Sequence, residues 1–305
     1  MFRKLGAIAR VFREPHYRHN PRWVLSRLRR LLAPAQPGLK TVKLPWGVEL
    51  RVDPDEFIGA SIWATGVHDL AVSEAIYRLL DDGDTAVDVG ANIGYTTSIM
   101  AVRAGRRGRV MAFEPHPMVF DQLAENAALL ARSEAACRPE LYKTALSDRT
   151  GQGMLVTDQG WTANRGLARI DDASNSAGIE ATSVEIKRLD EVIGDQSISL
   201  LKLDVEGHEA EVLRGASRLL ERGLIRTVIY EETAGDSGVT HQILSDAGFT
   251  LMVLDSTRAG PLVTLWGPHR IRPAPDWLAT LDKEEVERRF SRKGWRLFSR
   301  ATGRN

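Results

Sequence analysis

The stretch LLKLDVEGHEAEVLRGA, residues 200–216, places three acids and a histidine within six positions, directly after an apolar run. Carboxylates and imidazole at such spacing can bind a metal, transfer protons or begin a helix. A zinc site needs four closely spaced ligands, and no second His or Cys stands near His208 to complete such a set. We therefore predict no bound metal, with Mg²⁺ held by oxygen ligands as the alternative.

The residues of this stretch divide into two groups. Lys202 and Asp204 project from the same face of a predicted strand, because side chains repeat every two residues. A lysine in an apolar strand is costly unless it is paired, and Asp204 is its nearest partner. Glu209 and Glu211 instead fall in the first turns of a helix, where acids favour the helix dipole. Hence Lys202, Asp204 and Glu206 are predicted to end a central strand at a ligand crevice.

A second group lies in AVDVGANIGYT, residues 86–96, where a predicted strand passes through a Gly-rich turn into a helix. Asp88 ends that strand at the carboxyl edge of the sheet, where open α/β sheets bind ligands. Gly90 and Gly94 permit a tight turn and a close approach of a ligand. The spacing is G-x-x-x-G and not the G-x-G-x-x-G of dinucleotide-binding proteins. This turn therefore suits a compact ligand with an amino-acid moiety, such as S-adenosylmethionine.

The next two predicted strands also end in polar residues. Glu114, in FEP, follows the second strand, where an acid can accept hydrogen bonds from two ribose hydroxyls. Capping of the following helix is the alternative role for Glu114. The third strand ends in ALSD, from which Ser147 and Asp148 could reach an adenine amino group, although Ser-Asp also begins turns.

The elements that must position these residues alternate regularly along the chain. Predicted strands over 85–90, 108–115, 140–147, 197–205 and 225–232 are separated by segments of helical periodicity. Such alternation is typical of a parallel sheet covered by helices on both faces. The segments FTLMVLD and LVTLWG lie too close together for a helical crossover, so at least one of them runs antiparallel. We predict one doubly wound α/β domain.

The predicted domain spans residues 41–270, beginning with a β-hairpin over 41–53 and containing an insertion over about 151–186. Residues 1–40 are predicted to form a basic helical extension, and residues 271–305 a basic C-terminal tail. These ends could contact an anionic membrane surface, with a solvated surface as the alternative. The net charge of +1 gives no general reason to expect nucleic acid as a partner.

Composition also bears on location. The lone cysteine, Cys137, excludes an internal disulfide and a Cys-based zinc site. The sequence contains no run of about 18 apolar residues, so no transmembrane helix is predicted. The first twelve residues are positive and partly apolar, but Arg10, Arg13 and the lack of a small-residue cleavage site argue against a signal peptide. A cytoplasmic location is predicted.

The motifs DVGANIGYTT, FEPHP, ALSD and LKLDVEGHEAEVLRGA, in this order and spacing, resemble those of the FkbM family of S-adenosylmethionine-dependent methyltransferases. The resemblance covers about residues 60–265. It implies a class I methyltransferase (Rossmann-like) fold, with a mostly parallel seven-stranded sheet whose terminal hairpin is antiparallel. It also implies methyl transfer, usually to a hydroxyl oxygen on a small molecule, sugar or natural-product scaffold.

Carried over by position, the resemblance also implies which residues contact the cofactor. The methionine end would be held by Asp88, Gly90, Asn92 and Gly94, the ribose by Glu114, and the adenine by Ser147 and Asp148. Asp204 would lie beside the sulfonium.

An acceptor hydroxyl must lose its proton, and a positioned base accelerates that step by about 10²–10⁴-fold. The candidate bases are Asp204, Glu206, His208 and Glu232, with His68 as a further one. Glu231 and Glu232 both end the fifth strand, and by alternation only one of them points into the site easily. The sequence does not choose among these groups.

Two other functional classes remain at this point. An NAD-linked oxidoreductase would use the same alternating strands and the acid at position 114, but the missing G-x-G-x-x-G weakens it. A non-catalytic nucleotide-binding module on the same scaffold has no need of all the acids at the crevice.

Overall fold

The computed structural model describes residues 38–157, 168–171, 180–232, 238–257, 259–266 and 276–298. Nearly all of the predicted N-terminal extension, residues 1–37, lies outside the described residues, as does the end of the chain after residue 298. The membrane contact predicted for the two basic ends therefore stays a prediction. Within the described part of the chain, none of the helices has the length and hydropathy needed to cross a membrane.

Fourteen strands are present in the described residues. In chain order they are β1 (Lys40–Lys43), β2 (Glu49–Val52), β3 (Thr85–Val89), β4 (Arg109–Phe113), β5 (Glu140–Tyr142), β6 (Ala145–Leu146), β7 (Gly151–Thr157), β8 (Ala168–Asp171), β9 (Glu180–Lys187), β10 (Leu200–Leu203), β11 (Thr227–Glu231), β12 (Thr250–Thr257), β13 (Gly260–Leu265) and β14 (Asp276–Thr280). Strands β1 and β2 form the predicted antiparallel hairpin.

The helices of the described residues connect these strands. They are α1 (Phe57–Thr65), α2 (Leu70–Leu79), α3 (Tyr95–Ala104), α4 (Pro117–Leu130), α5 (Leu189–Ile193), α6 (Glu209–Arg214), α7 (Ser217–Glu221), α8 (Val239–Asp246), α9 (Lys283–Phe290) and a 3₁₀-helix (Arg296–Phe298). The helix predicted from Glu209 to Leu220 is divided into α6 and α7. The division falls at Gly215, which packs so tightly that a Cβ there would lie 2.0 Å from the carbonyl oxygen of Ser147.

Eight strands form the central sheet, in the order β13-β12-β14-β11-β10-β3-β4-β5. Neighbours from β11 to β5 run parallel, as continuously apolar strands joined by helices predict. Strand β14 runs antiparallel between β11 and β12, and β13 pairs antiparallel with β12 at the edge. The predicted doubly wound, mostly parallel class I methyltransferase fold with an antiparallel terminal hairpin is confirmed, although the sheet has eight strands and not seven.

The two faces of the sheet carry separate apolar cores. Alternation sends Ala86, Leu200 and Ile229 to one face, where they pack with residues of α1 to α4. Val87, Leu201 and Val228 face the other side, against α5 to α8. Covering both faces in this way leaves the strand ends as the sites where polar side chains can reach a ligand.

The prediction of a basic tail over residues 271–305 is wrong for residues 276–298. Strand β14 is hydrogen-bonded on both sides, to β11 and to β12, so it is an interior strand of the sheet. The 3₁₀-helix then packs Leu297 and Phe298 into the core beside α2. Apolar burial of this segment outweighs its basic composition, because Arg288 of α9 is exposed and the half-buried Arg289 is paired with Asp81 and Glu285.

The insertion after β5 builds a second sheet, in the order β6-β9-β7-β8. The strand predicted over residues 140–147 is divided: Glu140–Tyr142 pairs with β4 in the main sheet, and Ala145–Leu146 pairs with β9 in the second. The chain changes sheets at Lys143 and Thr144. This switch brings Leu155 of β7 to the carboxyl edge of the main sheet.

Candidate active site

A cleft of about 230 Å³ opens at the carboxyl edge of the central sheet. Its floor is formed by the loops that follow β3, β4 and β10, and by the end of β11. Residues Phe57 and Ile58 of α1 cover one side, and Leu155 of the second sheet covers another. Parallel strands point their carboxyl ends to a common edge, which is why the polar residues predicted after separate strands meet here.

The loop after β3 lies against the cleft through its backbone. Gly90 has a φ of 74°, and a Cβ at this position would lie 1.9 Å from the carbonyl oxygen of Asp204. A side chain is therefore excluded, and the loop closes onto the end of β10. Asn92 also has a left-handed φ of 49° and lines the cleft. Gly94 begins α3 with a φ of 88° but does not line the cleft.

Glu114 connects this loop to the end of β4. Its Oε2 accepts a hydrogen bond from the backbone N–H of Asn92 at 3.0 Å, and its Oε1 accepts one from that of His116 at 2.9 Å. Burial raises the pKa of the Glu114 carboxyl to about 7, against the lowering effect of these two donors. A carboxylate has about four acceptor positions, so this group at the cleft wall retains capacity for a ligand's hydroxyls.

Asp88, Lys202 and Asp204 form a chain of charges at the ends of β3 and β10, in which Asp88 and Lys202 are buried and the Asp204 side chain is 39% exposed. The Lys202 ammonium lies 3.0 Å from Asp204 Oδ2 and 3.5 Å from Asp88 Oδ1. These two acids hold the pKa of Lys202 above its ordinary value, although burial opposes them. The predicted pairing of Lys202 with Asp204 is thus found, and Asp88 joins it because the two strands place it directly opposite Lys202.

Asp88 does not reach the cleft, contrary to its predicted contact with the cofactor. Its Oδ2 accepts hydrogen bonds from the hydroxyls of Thr96 and Thr97 in α3, at 2.8 and 2.6 Å. The side chain is fully buried by these partners and by Lys202. Asp88 instead fixes the first turn of α3 and the position of Lys202, whose side chain does line the cleft.

Ser147 and Asp148, predicted for the adenine end, also lie off the cleft. The change of sheets after Tyr142 carries them behind the wall, where Ser147 Oγ lies 2.9 Å from Nε2 of His208. The wall itself is made by Thr144, Ala145, Leu146 and Leu155. Sequence reasoning missed these residues because their position depends on the second sheet.

His208 and Glu206 both line the cleft, as predicted. The His208 ring is engaged through Nε2 with Ser147, and its Nδ1 lies 3.7 Å from Glu211. Glu206 is exposed, and partial burial together with Asp204 raises the pKa of its carboxyl. The His208 ring is therefore held in place at the edge of the cleft, whereas the exposed Glu206 carboxyl lies at the cleft entrance.

Three non-glycine residues of the described chain have left-handed backbones, and all three lie at this edge of the sheet. They are Asp69, Asn92 and Glu206, with φ values of 41°, 49° and 54°. Such conformations cost about 1–3 kcal/mol each and persist only where surrounding structure enforces them. Such a concentration at the cleft and its adjoining inner cavity is typical of functional sites.

Of the two acids that end the fifth strand, Glu231 lines the cleft and Glu232 does not. Alternation places Glu231 on the same face as Ile229, beside Lys202. The Glu232 carboxylate folds toward the start of α8, where a Cβ on Gly238 would lie 2.1 Å from its Oε2. The structure thus places Glu231, and not the predicted Glu232, at the cleft.

A smaller cavity of about 70 Å³ adjoins the cleft and shares six residues with it, including His68, Asp204 and Glu231. Asp69 and Asp276 line only this inner cavity. Burial is the largest cause that lowers the pKa of His68, so its imidazole is neutral at neutral pH. Among the described residues, no group of three or more His, Cys, Asp and Glu side chains has an arrangement that could hold a metal ion.

Comparison with known proteins agrees with this architecture. The profile of the methyltransferase FkbM domain matches residues 88–251, more than half of the chain. Methyltransferase sdnD of Sordaria araneosa is 32% identical over 194 residues, which cover 54% of this chain and 73% of that protein. The hexuronic acid methyltransferase AglP of Haloferax volcanii is 31% identical over 196 residues, which cover 61% and 72%.

Among solved structures, the methyltransferase FkbM from Methylobacillus flagellatus KT is similar to this chain with a TM-score of 0.44. The match has 16% sequence identity and covers 67% of this chain and 47% of that one. On the strength of the domain match and of the two relatives above 30% identity, the chain belongs to the FkbM methyltransferase family.

Proposed function

We propose that this chain transfers a methyl group from S-adenosylmethionine to a hydroxyl oxygen of a sugar or other small molecule. Membership of the FkbM methyltransferase family supports the transfer, and the name of the relative AglP, a hexuronic acid methyltransferase, supports a sugar-type acceptor. The observation that carries the proposal is the cleft, whose loop after β3 and Glu114 after β4 are connected by a hydrogen bond.

The residues present fit the proposed cofactor. Glu114 offers a carboxylate to a ribose diol, and the apolar wall with Phe113, Leu146 and Leu155 suits a flat base. At the other end, Asp204 and Glu231 supply negative charge that favours a cationic sulfonium. When bound, S-adenosylmethionine would supply an electrophilic methyl group.

The chain's own part in the reaction would be alignment, exclusion of water and proton removal. Lys202 holds the Asp204 carboxylate at 3.0 Å, so this acid does not need to be ordered when ligands bind. Alignment of well-oriented reactants lowers a barrier by roughly 7–11 kcal/mol. The covering residues Phe57 and Ile58 of α1 would keep water from the reacting atoms.

Calorimetry with S-adenosylmethionine, S-adenosylhomocysteine and NAD separates this proposal from its rivals. We expect both adenosyl compounds to bind and NAD not to bind. Glu114→Ala should abolish binding of S-adenosylhomocysteine, whereas the matched Glu221→Ala, at an exposed position of α7, should leave it unchanged. Binding of NAD alone would overturn the proposal in favour of an oxidoreductase.

A non-catalytic binding module would bind S-adenosylhomocysteine but transfer nothing. Single-turnover incubation with methyl-labelled S-adenosylmethionine and a small-molecule extract distinguishes the two. Label in an extract compound supports methyl transfer, and tight binding without any transfer across fractionated extracts would contradict it.

A further inference from the structure

The inner cavity beside the cleft is bounded by two carboxyl groups that face each other across neighbouring strands. Glu231 is the last residue of β11, Asp276 is the first residue of β14, and the antiparallel register places them directly opposite one another. Opposite residues on one face have Cβ atoms about 4.5–5.5 Å apart. Asp276 lies outside residues 88–251, the part of the chain that the family profile matches.

The positions of these two acids differ in one important respect. Glu231 lines both the cleft and the inner cavity, whereas Asp276 lines only the inner cavity. Glu231 therefore stands at the junction of the two spaces, where an acceptor that entered the inner cavity would meet the cleft.

We propose that Glu231 is the catalytic base for the acceptor hydroxyl, an inference that rests on the proposed function. Asp276 is then a protonated carboxyl beside it that donates a hydrogen bond to the acceptor. In the balanced step, the acceptor oxygen forms a bond to the methyl carbon as its proton passes to a Glu231 carboxylate oxygen. The bond between that carbon and sulfur breaks, and its electron pair stays on sulfur as a neutral thioether.

The charges around the pair explain why only one of them ionises. The groups that face it are Lys202 of β10, Asp204 and Glu206 in the loop that follows, and His68 and Asp69 before α2. The single ammonium in this set is already paired with Asp204 and Asp88. Two further carboxylates in contact would lack compensation, so one keeps its proton.

The direction of that asymmetry follows from burial. Burial, then Asp204 and Glu206, raises the pKa of Glu231 to about 7. Burial, then Asp69 and Glu231, raises the pKa of Asp276 to about 9. At neutral pH Glu231 can thus accept a proton at a pKa suited to general base catalysis, while Asp276 can donate a hydrogen bond.

Three of the other candidate bases, Asp204, His208 and Glu232, are less well placed. One oxygen of the Asp204 carboxylate is already held by the Lys202 ammonium at 3.0 Å. The His208 ring nitrogen Nε2 is engaged with Ser147 at 2.9 Å. Glu232 is folded toward Gly238, away from the cleft.

Glu231→Gln and Asp276→Leu test the two roles separately. In the transfer of labelled methyl groups to the extract fraction that accepts them, Glu231→Gln should lower the rate by about 10²–10⁴-fold. Asp276→Leu, which removes the hydrogen-bond donor, should raise the KM for the acceptor by about tenfold with little change in kcat. Asp276→Asn should recover most of that loss, since its amide still donates a hydrogen bond; an unchanged KM in Asp276→Leu would overturn the role of Asp276. Glu221→Gln, at an exposed site on α7, is the control and should change nothing.

Two readouts do not depend on the acceptor. Calorimetry should show that each variant still binds S-adenosylhomocysteine, which shows that each is folded with a formed cleft. Carbon-13 NMR of the side-chain carboxyls should show two titrations near pH 7, of which Glu231→Gln removes one and Glu114→Gln the other. It should also show one near pH 9 that Asp276→Asn removes.

The failure of this inference can be told apart from failure of the proposed function. If the wild-type protein neither binds S-adenosylhomocysteine nor transfers label, the proposed function falls and the inference with it. If wild type transfers label and Glu231→Gln does so at a similar rate, or if Glu232→Gln loses more activity than Glu231→Gln, the inference alone is overturned.

Discussion

At the scale of single residues, the carboxyl groups of the site differ in what surrounds them. Asp88 is neutralised by an ammonium and two threonine hydroxyls, whereas Glu114 is buried with only backbone donors. Because a buried carboxylate without a paired cation is costly, the pKa of Glu114 rises to about 7. The two backbone donors nevertheless hold the side chain in place. A ligand that needs the charged form of Glu114 must therefore bind in a pH-dependent way.

We expect the affinity for S-adenosylhomocysteine to fall by about tenfold between pH 8 and pH 6, since one pH unit below the pKa costs about 1.4 kcal/mol. The sign follows from the ribose hydroxyls, which donate to the carboxylate and lose an acceptor when it is protonated. Calorimetry at the two pH values measures the change. In Glu114→Gln, affinity should be weaker and nearly independent of pH; a pH step that persists in this variant would exclude Glu114 as its cause.

Lys202 provides a second prediction at this scale. Lys202→Met removes the only cation within reach of Asp88 among the described residues and should destabilise the protein by about 3–5 kcal/mol. The double variant Lys202→Met/Asp88→Asn should recover part of that loss, because no buried charge is then left alone. Urea unfolding measures both free energies. A double variant less stable than the single one would contradict this pairing.

At the scale of elements, the C-terminal segment after β14 is held to α2 by a buried ion pair. Arg78 donates to Glu74 at 2.7 Å and to the carbonyl oxygens of Arg289, Arg292 and Gly294. Glu74 in turn accepts the backbone N–H groups of Arg296 and Leu297 at 2.8 and 2.9 Å. This segment is therefore part of the folded domain, although its composition is basic.

Arg78→Met should lower the free energy of unfolding by about 3–5 kcal/mol, because it leaves the buried Glu74 carboxylate without its cation and three carbonyls without their side-chain donor. Arg107→Met is the matched control, since Arg107 forms an exposed pair with Asp82 and should cost about 0–1 kcal/mol. Urea unfolding of both variants makes the comparison. Equal effects would mean that the segment after β14 contributes nothing to the fold.

The sequence predicted the positions of strands and helices along the chain better than it predicted which residues of different strands contact each other. The carboxyl ends of β3, β4 and β10 were located to within two residues, because apolar runs followed by Gly or acids have a clear local pattern. That Asp88 lies opposite Lys202 depends on the register of two strands more than a hundred residues apart, which no local pattern contains. Strand β14 follows a Pro-rich segment and was missed, although DWLAT alternates as a strand does.

The same limit applies to the cleft walls. The wall residue Leu155 belongs to β7, and its place at the main sheet results from the change of sheets after Tyr142. Asp276 meets Glu231 only because β14 inserts between β11 and β12. These contacts are tertiary, so they required the structure.

At the scale of the whole molecule, the site makes stability depend on pH. Burial raises the pKa values of Glu231 and Asp276 to about 7 and about 9, far above those of carboxyls in an unfolded chain. The folded protein therefore binds more protons than the unfolded chain between about pH 4 and these values. The stabilisation of the folded state by these two raised pKa values is fully present below about pH 4. It is lost as the pH rises through the pKa values of the folded protein.

We expect the urea midpoint of the ligand-free protein to decrease from pH 7 to pH 9. His68, whose pKa burial lowers, opposes this trend only slightly, because the imidazole of an unfolded chain, with a pKa of about 6.5, is already mostly neutral at pH 7. Asp276→Asn should reduce the decrease, since the amide cannot ionise. A midpoint that rises between pH 7 and pH 9 would contradict the buried, protonated state of this carboxyl.

Identification of the labelled product tests the proposed methyl transfer from S-adenosylmethionine to a small molecule. The protein is incubated with methyl-labelled S-adenosylmethionine and cell extract, and the labelled product is separated by size and identified by mass spectrometry. We expect the label on an oxygen of a sugar or other small molecule, and we expect no labelled product when Glu114→Ala replaces the wild-type protein. Label found only on protein or nucleic acid would contradict the proposed transfer.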